Sequence, residues 1–249
     1  MYIKMKQLKD ILEGIFDIDD NIDNVDEIIK EQIKQFLNDN FDGASSCKIS
    51  DKLNADGKYE VSSIGNVEVK KTKITSLTNG IFIWTEVSGD FYCHSCHSLT
   101  SLEGAPKEVG GRFDCSNCTS LKSLEGAPEK VGGEFDCTGC KSLKSLEGAP
   151  KEVGGDFYCG YCNSLTSLKG SPKEVSRHFY CYWCASLTSL KGSPKEVGGN
   201  FNCYGCKSLT SLKDSPEKVG GEFNCSNCKI EFTEEDVKKV SNVKGMIKL

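Results

Sequence analysis

Residues 113–134 read FDCSNCTSLKSLEGAPEKVGGE, and this sentence of twenty-two residues, repeated without insertion, decides the fold. Phenylalanines stand at Phe91, Phe113, Phe135, Phe157, Phe179, Phe201 and Phe223. Cysteines keep step two and five residues later, from Cys93 and Cys96 to Cys225 and Cys228. Fourteen of the fifteen cysteines are thereby in register, and only Cys47 lies outside. All six prolines occupy one slot of the unit. A repeat of this length is too short for paired helices and falls in the range of solenoids whose coils carry one short strand each.

The slots assign themselves by chemistry. F-x-C alternates like a strand, with Phe and Cys inward and the residue between them outward. Ser-Leu-x-Ser-Leu turns the chain and sends Leu99, Leu102 and their equivalents inside. Gly-x-Pro breaks regular structure, Val109 and its equivalents plug the far side, and Gly-Gly permits a tight return. One coil cannot bury its own edge, so the coils must stack.

In its order of buried positions the unit resembles a leucine-rich repeat of the short bacterial and bacteriophage type, over roughly Val69 to Phe232. The second cysteine falls near the slot where that family carries asparagine. The resemblance implies a solenoid with one parallel sheet of short strands on the concave face, a mostly irregular convex side, and partners bound on the concave face. It also implies a bacterial or phage setting, with a role in infection or host interaction. Some secreted members carry a ubiquitin-ligase domain, which has no counterpart expected here.

Outside the repeats, residues 1–45 read as a helical N-terminal cap or docking element. Leu8, Ile11, Leu12, Ile15 and Phe16 have helical spacing, as do Val25, Ile28, Ile29, Ile33, Phe36 and Leu37. Residues 46–90 read as linker strands and a degenerate first repeat, in which Val69, Leu77, Val87 and Gly89 align with Phe91, Leu99, Val109 and Gly111. Residues 91–232 hold seven C-x-x-C repeats, the last one partial. Residues 233–249 form a C-terminal cap, with Thr233 opening a short helix through Val240 and a last strand from Val243 to Leu249.

The net charge of −5 lacks the basic stripe of a nucleic-acid binder, and the longest strongly apolar run, Ile81 to Trp84, is far short of a membrane span. With no export signal at its start, the chain is expected in the cytoplasm, where cysteines stay reduced. Stacked C-x-x-C pairs are one way to assemble four sulfurs around zinc or an iron-sulfur centre. Their inward slots instead suggest buried thiols, since unpaired cysteine packs as a small hydrophobe. Cys93-His-Ser-Cys-His97 spells a haem attachment motif, but position 97 varies freely in later coils. Asp17-Ile-Asp-Asp-Asn begins like a calcium loop and lacks the glycine and glutamate such a loop needs. No cofactor is expected, and no nucleophile elbow or P-loop is present.

The remaining signal is variation at outward slots. Aromatic residues gather in the fourth to sixth coils as Tyr158, Tyr161, Tyr180, Tyr182, Trp183 and Tyr204, joined by His178, while Asp114, Asp136 and Asp156 make the early strands acidic. Tyrosine and tryptophan are enriched at interaction hot spots. These ten residues are the expected partner-binding site of a non-enzymatic scaffold whose protein partner has some basic character. A metal or redox role for the cysteines and an assembly role for the N-terminal helices are the alternatives.

Overall fold

The computed structural model describes residues 22–70 and 73–249. The first expected helix and the calcium-loop-like stretch lie outside the described residues. Within them the chain winds into a β-solenoid of about nine turns. Its longest sheet has ten strands. Phe41–Asp42 pairs antiparallel to Val67–Val69, and every later strand, from Phe91–Tyr92 to Phe223–Asn224 and Ile247–Lys248, is parallel. Each Phe sits opposite the Phe of the next coil, so the rings stack at centroid spacings of 5.1–5.7 Å. At the N-terminal end, Trp84 and Phe41 lie 5.9 and 6.3 Å from Phe91 and close the ladder.

A second line of strands departs from the single expected sheet. The Val slots pair from coil to coil as well, in one sheet of six strands and one of four. The physical reason lies in the glycines after each Val. Gly132 donates its N–H to the Val109 carbonyl at 2.8 Å, and a Cβ on Gly132 would stand 2.2 Å from the Gly110 carbonyl oxygen. Bare glycine lets two coils approach closely enough for the extended Val passage to pair. The line breaks between Val153 and Val175, where Ser176-Arg177 replaces both glycines; Ser88-Gly89 and Lys244-Gly245 keep the second glycine, and their strands stay paired.

The first coil is also offset from its expected alignment. Val67 rather than Val69 faces Phe91, while Val87 still faces Val109. This coil holds extra residues between its two strands, so uniform spacing fails there; Val69 is taken up by Phe41 on the other side. At the far end the expected single strand is two short ones, Asn242–Val243 and Ile247–Lys248, which continue the Val and Phe lines.

Among the described residues, two α-helices flank the stack. Helix α1, Ile22–Asn40, buries Ile29, Ile33 and Leu37, and Phe36 packs edge-on against Phe82 at 5.8 Å. Ile28, expected on that face, is instead exposed. Helix α2, Glu234–Val240, starts with a capping box in which Thr233 and Asp236 exchange side-chain and backbone bonds. Val237 is its buried residue. One continuous core runs from Ile29 to Val237.

Candidate binding face

The cysteines define what lies beneath the strand face. The second thiol of each coil donates to the carbonyl of the first cysteine one coil earlier: Cys118 to Cys93 at 3.1 Å, Cys140 to Cys115 at 3.3 Å, Cys162 to Cys137 at 3.2 Å. The series continues through Cys184, Cys206 and Cys228. Each strand is only two residues long, so a carbonyl at its end needs a partner that the sheet does not supply. The S–H provides one at little cost in polarity. Burial pushes the thiols of Cys93, Cys159 and Cys181 well above their ordinary value, and Cys115 rises through its bond with Cys140 as well as burial. Cys228, half-buried in the last coil, departs from this pattern. Its interaction with Cys203 holds its thiol below the ordinary value. Among the described residues no group of three or more His, Cys, Asp or Glu is arranged to hold a metal ion.

Asp114, Asp136 and Asp156 do not line an open acidic face as expected. They are 8%, 8% and 5% exposed. A short carboxylate after the Phe folds back on the turn that follows, where Asp114 accepts from the Ser116 N–H and Asp136 from the Thr138 N–H, both at 2.9 Å. A polar side chain before the Phe reaches forward and accepts the N–H of the next coil. Asp90 serves Arg112 at 2.7 Å, Asp156 serves His178 at 3.0 Å and Asn200 serves Glu222 at 2.8 Å. His178 does the same for Asn200 through Nδ1 at 2.7 Å, so this ring is engaged in holding two coils together.

Two of these buried acids, with Glu134, gather around one cation. The Arg112 guanidinium meets Asp114 at 2.9 Å, Glu134 at 3.3 Å and also Asp136. Three carboxylates against one guanidinium leave an excess of negative charge at the N-terminal border of the aromatic row. Burial dominates at Asp136 and pushes its carboxyl above the usual range, although the Thr138 N–H and Arg112 oppose it.

The aromatic residues are brought together completely. Tyr158 stacks on Tyr180 at 5.0 Å, and His178 and Tyr182 touch Tyr180 at 5.6 and 6.1 Å. Tyr182 stands edge-on to Tyr161 at 5.4 Å. Tyr161 lies parallel to Trp183, which in turn meets Tyr204 at 5.3 Å. The seven rings therefore form one connected chain across three coils. Tyr158 anchors it by donating its phenol to Asp156 at 2.8 Å.

Two features of this chain require special backbone. Tyr161 and Trp183 both have φ of 55°, in the left-handed region that bulky side chains avoid. The same slot elsewhere holds Ser95, Asn117, Gly139, Gly205 and Asn227, all residues that tolerate it better. Glycines on either side receive the rings. A Cβ on Gly160 would lie 2.8 Å from the Tyr182 ring, and one on Gly205 would lie 2.8 Å from the Trp183 indole. Adjacent Tyr182 and Trp183 thus splay in opposite directions, each laid against the backbone of a neighbouring coil.

The outward-slot reading did not register Gly160, Gly205 or the clamp that Arg112 makes with its acidic neighbours. A glycine where neighbouring coils carry side chains was the available signal. No family model matches the chain, and neither a curated protein nor a solved structure matches it.

Proposed function

We propose that the chain is a leucine-rich-repeat-type solenoid that works as a non-enzymatic scaffold, binding a protein partner through the aromatic row of its fourth to sixth C-x-x-C coils. One observation carries this reading: Tyr161 and Trp183 occupy left-handed backbone that costs a bulky residue about 1–2 kcal/mol each. Folding alone favours the serine, asparagine or glycine found in the other coils. Strain tolerated at two adjacent coils, in a row of seven touching rings, is the mark of a surface kept for contact. Tyr161 is 47% exposed and the other rings of the row are half-buried, the amphipathic condition of a hot spot that awaits a partner.

The supporting geometry is rigidity. The rings sit on strands and turns whose backbone is paired to the coils on both sides, so little ordering entropy remains to be lost on binding. No described helix is long and apolar enough to cross a membrane.

The test compares the wild-type chain with the triple variant Tyr180→Ala, Tyr182→Ala, Trp183→Ala in affinity capture, with circular dichroism and thermal melting run on both. Loss of the captured partner by a variant that keeps the wild-type spectrum supports the face. Capture at undiminished affinity overturns it.

A further inference from the structure

Resting on the binding-face reading, we infer that the row takes an arginine side chain of a basic peptide, its guanidinium laid on the face of Tyr182, the ring that leans back toward the coil of Glu134 and Asp136. Three observations meet at this point. First, the rings offer π-faces in fixed orientation: Tyr182 rests against Gly160, Trp183 rests against Gly205, and in each case the backbone supports one side of the ring. A flat planar cation stacks on such a platform better than a compact ammonium does.

Second, the border of the row carries uncompensated negative charge. Arg112 is shared by Asp114, Glu134 and Asp136. Glu134 is the accessible member of the cluster, with its side chain 37% exposed. Asp136 acts electrostatically on the Tyr182 phenol, and Glu134 and Asp156 act on that of Tyr158. The same carboxylates that crowd one guanidinium would therefore attract a second, and the tyrosines between them lie in their field.

Third, the charge sign selects among ligands that stack on aromatic rings. Phosphates and acidic glycans are repelled by the cluster. Neutral sugars gain hydrogen bonds from the carboxylates but no charge pairing, whereas a guanidinium gains the ring face, the hydrogen bonds and the opposite charge. Of the basic side chains near the row, Arg112 is shared by its three carboxylates, Lys207 bonds Asn227, and Arg177 approaches Asp156 at 3.5 Å while remaining 63% exposed.

Tryptophan fluorescence of the full chain provides the assay, because Trp84 is 1% exposed and forms a constant background to Trp183. The probes are a glycine-serine peptide bearing two arginines, its citrulline twin of equal shape and no charge, and a neutral cello-oligosaccharide. Saturable quenching by the arginine peptide is expected, with the citrulline peptide roughly tenfold weaker or worse. Raising the salt should weaken the arginine peptide, and Glu134→Gln should weaken it without altering the melting curve. Trp183→Phe should remove the signal. Equal binding of the two peptides, no binding of either, or preferential binding of the oligosaccharide overturns the inference. If the arginine peptide fails while the triple alanine variant still loses its captured partner, the face stands and only the ligand chemistry falls. If capture also survives, both fall.

Discussion

Cys162 donates its thiol to the carbonyl of Cys137, one coil earlier and 3.2 Å away, and both residues are fully buried. This contact gives cysteine two duties at once, as an apolar filler and as the donor that satisfies a strand-end carbonyl. The duties can be separated by substitution. Cys162→Val keeps apolar bulk and removes the donor, so the Cys137 carbonyl is left with the Cys140 N–H at 3.3 Å alone, at a cost of about 0.5–1.5 kcal/mol. Cys162→Ser retains a donor and should cost less. Urea midpoints of the two variants decide the matter; a valine variant as stable as the serine variant would show that the bond contributes nothing.

The thiols also set an alkaline limit. An acid whose folded-state pKa lies above its unfolded value favours folding at low pH and loses that contribution as pH rises past the unfolded value. Burial raises Cys206 and Cys225 to about 12 and Cys47 to about 11, and lifts the more deeply buried thiols too. Stability should therefore begin to fall near pH 8, where about a dozen thiols already ionise in part in the unfolded chain, and drop steeply above about pH 9. The slope is about 1.4 kcal/mol per pH unit for each thiol that only the unfolded chain ionises. Urea titrations under a non-thiol reductant measure it. Cys228, whose thiol is held low, should be the first to react with a disulfide reagent in the native state.

Much of this was legible because periodicity exposes constancy. Phe, Cys, Leu and Val recur at fixed slots, and each is buried as its slot implies, except the half-buried Cys228. A varying slot carries less information. Asp114 and Tyr158 share one position, yet the carboxylate folds back onto the Ser116 N–H and the phenol reaches across to Asp156. Side-chain length and the nearest unpaired N–H decide between those outcomes, and neither is periodic. The second strand line escaped for another reason. Gly-Gly reads as a turn signal, and only the stacked geometry shows that it permits close approach of extended chain.

That close approach yields a paired prediction at the break in the Val line. Gly132→Ala would place a Cβ 2.2 Å from the Gly110 carbonyl oxygen, a backbone atom that has no room to retreat. The substitution should destabilise the chain by about 1–3 kcal/mol, as overpacking does, and open a second gap in the ladder. Conversely, replacing Ser176 and Arg177 together by glycine should let Val153 and Val175 pair. Hydrogen exchange of the amides at 173 and 176 would slow in that variant; unchanged exchange would mean that something other than the missing glycines holds the coils apart.

The aromatic row makes the sharpest demand, because its strain and its proposed role pull in opposite directions. Asparagine occupies the Tyr161 slot at Asn117 and Asn227, each with φ of 57°. Tyr161→Asn should therefore relieve about 1–2 kcal/mol of backbone strain. The ring it removes is 47% exposed, so the lost burial is modest and the net change should lie between neutral and about 1 kcal/mol stabilising. Asparagine also occurs in the Tyr180 slot, as Asn202, but Tyr180 sits in ordinary strand geometry and stacks on Tyr158 at 5.0 Å. Tyr180→Asn should accordingly destabilise, by about 1 kcal/mol or more. Both variants should bind the partner at least roughly tenfold more weakly. Urea midpoints paired with the capture assay distinguish the cases. Equal destabilisation by the two would mean that the left-handed tyrosine carries no strain, and its presence would then say nothing about selection for binding.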